Sequence, residues 1–263
     1  MRTTLIHQVD SFTDRPFAGN PAGVCVLERP AEDDWMQSVA REMNVAETGF
    51  LHPKEGDWAL RWFTPAVEVD LCGHGTLAAA HVLWETGVLP PEAVARFHTR
   101  SGLLTAERRG AWIEMDFPSL PVQEERAPEG LLESLGVVAV RTGRSRDDLV
   151  VELESEAAVR ACAPDFTRLR HVPTRGVIVT SRASTPGFDF VSRFFAPAIG
   201  IDEDPVTGSA HCALTPYWAE KLGRTEFSAL QVSKRGGVLR LRLAGPRVKI
   251  SGQAVTVLRC ELV

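Results

Sequence analysis

Arg61-Trp62-Phe63-Thr64-Pro65-Ala66-Val67-Glu68-Val69-Asp70 returns later in the chain as Arg193-Phe194-Phe195-Ala196-Pro197-Ala198-Ile199-Gly200-Ile201-Asp202. Arg, Phe, Pro, Ala and Asp recur at matching places, and the Trp/Phe and the two Val/Ile exchanges are conservative. The copies are separated by very nearly half of the 263 residues. A chance match has no reason to fall at that interval, so the pattern predicts a duplication, with two similar lobes in tandem.

The segments C-terminal to the two copies are also alike. After Asp70 come Leu71-Cys72-Gly73-His74-Gly75-Thr76 and a helical stretch to Trp84, ending at Gly87. After Asp202 come Glu203-Asp204-Pro205-Val206-Thr207-Gly208-Ser209-Ala210 and a helical stretch through Glu220, ending at Gly223. Each is an extended segment, a turn of small residues and a helix stopped by glycine. The first helix is apolar on nearly every face, as expected of a helix enclosed by other structure. Pro216 inside the second predicts a kink or a late restart.

Around these helices the chain reads mostly as strands: Thr4–Val9, Val24–Leu27, Thr48–His52, Trp58–Phe63, Leu103–Arg108, Ala111–Phe117, Val177–Thr180, Asp189–Phe195, Gln231–Lys234, Val238–Leu243, Arg247–Ser251 and Ala254–Leu262. Too few helices lie between them for a parallel doubly wound sheet. The expected class is α+β, with two pseudo-symmetric lobes, each mainly β and wrapped around one buried helix. The proline-bearing stretch Pro118-Ser119-Leu120-Pro121 suggests an N-terminal lobe at 1–118 and a C-terminal lobe at 119–263. The last strand, Ala254–Leu262, is open to pairing back onto the first lobe.

Composition limits the function classes. With 44% hydrophobic and 24% charged residues the chain reads as soluble and globular. A net charge of −5 and a pI near 5.8 give no basic field for nucleic acid or anionic lipid. The basic clusters at Arg108-Arg109, Arg141 to Arg146 and Lys234-Arg235 read as solvated turns. Residues 1–10 have no apolar core of a signal peptide, and no apolar run is long enough to span a bilayer. Cys25, Cys72, Cys162, Cys212 and Cys260 are odd in number and contain no CxxC pair, which points to reduced thiols in a cytoplasm.

Chemistry is expected at the two turns. Small residues opening a helix leave backbone N–H groups unpaired where the helix dipole favours negative charge. Gly73–Thr76 and Thr207–Ala210 are two such nests, and a pseudo-two-fold would let both face one cleft that holds a small carboxylate-bearing substrate. At the interval of the repeat Cys72 falls opposite Asp204, a thiol facing a carboxylate rather than two equal bases. Cys72 reads as packing or as a nucleophile, and Asp204 as a cap or a ligand for substrate. His74, stripped of cover by Gly73 and Gly75, is a stronger functional candidate. Glu47, at a helix-to-strand junction, suits a desolvated general acid/base. Asn20, in what reads as a tight Gly19–Gly23 loop, binds ligand or forms an Asx-turn. For a metal, His74 with His81, Cys72 and His211 offers none of the familiar spacings, and the aliphatic setting of His81 suggests core. Ser209 and His211, at i and i+2, would not face each other as a nucleophile and base. No nucleotide cofactor pattern is present.

Four segments in order, together with Arg235-Gly236-Gly237, carry a family resemblance. They are Phe17-Ala18-Gly19-Asn20-Pro21-Ala22-Gly23-Val24, Ala46-Glu47-Thr48-Gly49-Phe50, Asp70 to Thr76 and Asp204 to Ala210. They resemble the PhzF-like phenazine-biosynthesis family, which shares its fold with diaminopimelate epimerase, and the likeness runs essentially the full length. The resemblance implies that each lobe is a β-barrel-like sheet around a central helix. It also implies a homodimer without metal or organic cofactor, and an isomerase that shifts a proton within a dihydro-hydroxyanthranilate by way of a glutamate. Glu47 matches that glutamate. His74, Asp204 and Ser209 match polar residues of the pocket, and the Gly73 and Gly208 backbones lie in the matching turns. Substrate-binding positions are thus expected at Asn20, Cys72, Gly73, Gly75, Thr207, Gly208 and Ser209. Epimerase relatives carry a cysteine in both turns; here only Cys72 is present, which disfavours a two-thiol mechanism.

Overall fold

In the computed structural model, residues 4–263 are described; of the N-terminal stretch read for a leader, residues 1–3 lie outside them. The chain forms two compact units. One runs to Asp116 and takes in Ser251–Val263; the other is Phe117–Ile250. The sequence boundary at 118/119 leaves open whether the last strand pairs back onto the first lobe. The last strand is grouped with the first unit, where its partner is the first strand.

The first unit contains β1 (Thr4–Ser11), β2 (Asn20–Val26), α1 (Asp33–Met43), β3 (Glu47–Lys54), β4 (Asp57–Phe63), β5 (Glu68–Val69), α2 (Gly73–Glu85), β6 (Ala95–Thr99), β7 (Gly102–Arg109) and β8 (Trp112–Pro118). The second contains β9 (Gln123–Glu124), α3 (Leu131–Leu135), β10 (Arg141–Ser145), β11 (Asp148–Glu152), α4 (Glu156–Ala161), α5 (Phe166–Leu169), β12 (Gly176–Arg182), β13 (Phe190–Ala196), β14 (Ile201–Asp204), α6 (Gly208–Leu222), β15 (Glu226–Gln231), β16 (Gly237–Ala244) and β17 (Arg247–Gly252). The last strand, β18 (Ala254–Leu262), lies antiparallel to β1 from Thr4↔Leu262 to Ser11↔Ala254, with a bulge at Gln8/Val9.

The strand sense repeats. In the first unit β1–β2 is antiparallel, β2–β3 parallel, β3–β4 antiparallel, β4–β6 parallel and β6–β7 antiparallel. In the second the same succession runs β10–β11, β11–β12, β12–β13, β13–β15 and β15–β16. The repeated decapeptide occupies the same place in each, β4 with β5 and β13 with β14. Its arginine does the same work twice: Arg61 forks onto Glu68 with both bonds at 2.7 Å. Arg193 forks onto Glu203 at 2.7 and 3.0 Å. Such bidentate pairs fix the hairpin geometry as well as the charge.

Each unit buries one long helix. In α2 every residue from His74 to Trp84 except His81 is buried, and the helix packs on β1, β2, β3, β7 and β18. In α6 every residue from Gly208 to Trp218 except Ser209 and Pro216 is buried. Apolar side chains on all faces leave no solvent side, which is why these two helices show no amphipathic stripe. The smaller helices sit outside, with Met36, Val39 and Ala40 of α1 packed on Phe50 and Phe63. In the second unit Leu131, Leu135, Val159 and Leu169 pack against Val177, Val179 and Phe195.

Three sequence expectations change. The α6 helix does not restart late: it runs continuously through Pro216 to Leu222. Proline removes the N–H that would bond the Cys212 carbonyl, and the Leu120 N–H takes that carbonyl instead at 3.1 Å. The expected strand at 231–234 lies earlier, at Glu226–Gln231; β6 and β10 went unseen because their alternation is short, and β11 because it has none. Gly19–Gly23 is not a free loop: Asn20 starts β2, pairs with Ser11 and is fully buried.

Candidate active site

Local structure brings Asn20, Glu47, Cys72, His74 and Gly75 together in the first unit. Glu47 is the first residue of β3, placed beside β2 by the parallel pair Ala22↔Glu47. Cys72 is the N-cap of α2, and its Sγ accepts the Gly75 N–H at 3.2 Å. Its carbonyl accepts from both the Thr76 N–H at 3.0 Å and the Thr76 hydroxyl at 2.6 Å. His74 is held by its backbone, where the Ser11 hydroxyl donates to its carbonyl at 2.8 Å.

The His74 ring is gripped on both nitrogens. Nδ1 lies 3.2 Å from Asn20 Nδ2. An Asn amide can present either N–H or C=O, so it serves the neutral and the protonated ring alike, leaving Nε2 on the Glu47 side. Glu47 Oε2 lies 2.9 Å from Nε2, with side-chain exposures of 7% for His74 and 13% for Glu47. Yet Oε2 is a buried acceptor with no aligned hydrogen-bond partner. The contact is therefore a close approach of charges off the N–H axis, and the oxygen keeps an open lone pair. Cys72 Sγ stands 3.6 Å from Nδ1 and 3.8 Å from Nε2.

Electrostatics couples these groups. Burial on its own disfavours a charge on His74. Cys72, when it is a thiolate, and the Glu47 carboxylate outweigh that and hold the imidazole well above its ordinary value. Burial, then the neighbouring Glu47 charge, pushes the Cys72 thiol up, so at neutral pH it is the Glu47 charge that supports the imidazolium. Only glycine fits at position 75: a Cβ there would stand 2.8 Å from both Cys72 Sγ and Trp62 Cδ1. The Trp62 indole N–H, buried and without a partner, lines the same spot. Glu47, Cys72 and His74 each bring one ligand-type atom within 4.8 Å of the others.

The remaining expected residues form a second cluster, in the other unit. Thr207 is the N-cap of α6 and Gly208 its first residue. The stretch from Asp202 to Gly208 is three residues longer than that from Asp70 to Gly73, so by fold Cys72 matches Thr207, and His74 matches Ser209. The match of Cys72 to Asp204 read from the repeat interval is thus displaced by the longer turn. Asp204 Oδ2 accepts the Thr207 hydroxyl at 2.6 Å. Gln231 Oε1 accepts the Thr207 N–H at 2.9 Å, while its Nε2 donates to the Asp204 carbonyl at 2.8 Å. Arg175 donates from Nη2 to Ser209 Oγ at 3.1 Å and is itself anchored on buried Asp148 through both Nε, at 2.9 Å, and Nη2. A guanidinium only donates, so Ser209 must accept from it and has its own proton left to give.

Arg175, Gln231, Asp148 and Trp62 were not singled out in the sequence. Three of them lie outside the repeated motifs, and only their long-range contacts mark them. His81 and His211 are structural. His81 Nε2 meets Thr256 Oγ1 at 3.1 Å. His211 Nδ1 meets the Thr207 carbonyl at 2.8 Å, and burial pushes its pKa down to about 4.

The profile of the phenazine biosynthesis-like proteins matches residues 9–260. The chain belongs to the phenazine biosynthesis-like family. A protein of Halalkalibacterium halodurans named as an uncharacterised isomerase is 54% identical over 263 residues, covering 100% of this chain and 99% of its own. The crystal structure of a PhzF-family phenazine biosynthesis protein from Enterococcus faecalis superposes with a TM-score of 0.95 at 38% identity, covering all of both chains. A probable proline racemase from Agrobacterium radiobacter shares the fold at a TM-score of 0.66 and 14% identity, covering 99% of this chain and 93% of its own. This phenazine biosynthesis-like protein therefore has the α+β, diaminopimelate epimerase-like fold and belongs with the isomerases. Among the described residues no helix is long and apolar enough to cross a membrane.

Proposed function

We propose that this isomerase acts without a cofactor on a small cyclic or amino-acid-like carboxylate, with Glu47 taking a proton from carbon and returning it at another position. The supporting observation is the buried Glu47 Oε2, 2.9 Å from the His74 ring yet lacking an aligned donor. A buried acceptor left open is costly, and accepting a proton relieves that cost. His74 sits beside the oxygen to steady the carboxylate before transfer and to polarise the substrate. In the second unit, Asp204 is assigned to substrate orientation. Ser209, with the Thr207 and Gly208 turn at the start of α6, is assigned to its carboxylate. Asn20, Cys72, Gly73 and Gly75 are assigned to shaping the substrate surface on the first unit. The same family reading carries a homodimer in a reducing cytoplasm.

The test is solvent exchange. A panel of anthranilate-like and amino-acid carboxylates is incubated with the protein in D2O, and deuterium incorporation is followed by NMR. Glu47→Gln is expected to lower incorporation by about 10²–10⁴-fold, the usual worth of a positioned acid/base, while binding measured by thermal shift stays near that of the wild type. Undiminished exchange in the variant removes Glu47 from the role.

A second reading, an epimerase using the Cys72 thiol, draws on the 3.6 Å approach of Sγ to His74. Against it stand the burial of Cys72 and the threonine at the matching cap of α6. Iodoacetamide separates the two: inactivation of the wild type but not of Cys72→Ala favours the thiol.

A further inference from the structure

We propose that Arg175 selects an anionic substrate: its guanidinium, bonded to Ser209, binds the substrate carboxylate on the second unit. The inference rests on the reading of the substrate as a small carboxylate, and it supplies the charge which that reading lacks. Ser209 and the turn at Thr207 and Gly208 carry no formal charge, so a full positive charge is the missing element of recognition.

The guanidinium is held by three groups. Nε donates to Asp148 Oδ1 at 2.9 Å, and Nη2 donates both to Asp148 Oδ2 and, at 3.1 Å, to Ser209 Oγ. Cζ stands 5.6 Å from the centroid of the Phe194 ring, a cation–π contact. The Asp148 side chain is only 6% exposed while that of Arg175 is 38% exposed, so a buried carboxylate anchors a guanidinium that reaches solvent. Arginine has five N–H donors. Three are committed here, and the two on Nη1 have no protein partner among the described residues. Ser209 accepts from Nη2 and so has its own proton to give. Nη1 and the Ser209 hydroxyl thus form a pair of donors flanking Nη2, the arrangement a two-oxygen anion needs. A fork fixed before the ligand arrives loses little freedom on binding it.

The duplication places this contact where the first unit carries its acid/base pair. Phe63 and Phe195 occupy the same position of the repeated decapeptide. Their strand partners are Thr48 and Val177, so the residue before each, Glu47 and Gly176, also match. A Cβ at Gly176 would run into the Phe194 ring, which leaves that position without a side chain, and the preceding residue, Arg175, supplies one instead. Each unit therefore sets a charged side chain from the start of a strand against the second residue of its buried helix. In the first unit it is Glu47 at His74, 2.9 Å apart; in the second it is Arg175 at Ser209, 3.1 Å apart. One copy carries the carboxylate that handles a proton, and the other carries the cation that holds an anion.

The experiment titrates the full chain with anthranilate and with proline, each beside its uncharged primary amide. Affinity is read by calorimetry, and the Arg175 Nε–H resonance by NMR, assigned through its absence in Arg175→Lys. At least one acid is expected to saturate and shift that resonance, and to bind about 10–100-fold more tightly than its amide, the worth of hydrogen bonds to charged groups. Arg175→Gln is expected to weaken the acid by the same factor and bring acid and amide together. Arg175→Lys, which keeps a charge beside Asp148 but loses the fork, is expected to weaken the acid as well. Should Arg175→Gln, by stranding Asp148, fold poorly by circular dichroism, the wild type and Arg175→Lys carry the test. Equal binding of acid and amide, an Nε–H resonance that neither acid moves, or an Arg175→Lys protein that binds the acid as tightly as the wild type overturns the proposal. Binding is read without turnover: loss of the acid preference removes this inference alone, and undiminished exchange in Glu47→Gln removes only the role of Glu47.

Discussion

At the scale of the residue, the decisive arrangement is three side chains around one imidazole. His74 has its folded pKa raised above the unfolded value of about 6.5. The folded state therefore holds the proton more tightly. The resulting stabilisation is complete below about pH 6.5 and is lost as pH rises through the folded value. NMR of the His74 ring is expected to give a midpoint above 6.5 that falls in Glu47→Gln, and the alkaline decline in stability should flatten in the same variant. Gly75 is the other residue with no latitude. Gly75→Ala places a methyl 2.8 Å from Cys72 Sγ and Trp62 Cδ1, an overpacking worth about 1–3 kcal/mol, measurable by urea unfolding. His74 and Glu47 were legible in the sequence because glycines and a helix-to-strand junction surround them. Arg175 was not. It comes after an ordinary turn, and nothing local announces that it reaches Ser209 from 34 residues away.

At the scale of the element, the two buried helices show how context overrides a local rule. An interior proline typically costs a helix about 3 kcal/mol, and Pro216 led the sequence to predict a kink or a late restart. The carbonyl it would orphan is occupied by the Leu120 N–H, so most of that cost is absent. Pro216→Ala is expected to stabilise by well under 3 kcal/mol in chemical denaturation, because a new N–H at 216 must compete for a carbonyl already taken. A full 3 kcal/mol gain would show that the Leu120 bond contributes nothing. The strands that escaped detection have the same explanation. Residues 148–152 are all buried, so β11 lacks the alternation that betrays a half-exposed strand. The Gly19–Gly23 segment was misjudged for the opposite reason: its turn-forming residues serve close packing, since a Cβ at Gly23 would stand 2.8 Å from Thr48 Oγ1.

At the scale of the whole molecule, duplication was visible in ten residues and is repeated in the succession of parallel and antiparallel pairs. The repeat interval misled only where the second turn grew by three residues, which a comparison at fixed spacing cannot register. The closing strand was ambiguous for a physical reason: β18 is exposed or half-exposed throughout, and a strand with no buried face does not declare which sheet it joins. Removing residues 254–263 is expected to strip β1 of its partner. Hydrogen exchange should then show β1 and β2 losing protection while β11, β12 and β13 keep theirs. Equal loss in both units would mean that they fold as a single cooperative block.

That last strand also has a consequence for biosynthesis. Residues 4–116 leave the ribosome first, yet their sheet lacks its terminal partner until 254–262 have been translated. The second unit, by contrast, is contiguous and complete in chain order. Domains made on the ribosome ordinarily mature from the N-terminus, but here the order inverts. The segment that bears Glu47, Cys72 and His74 is synthesised first and finished last.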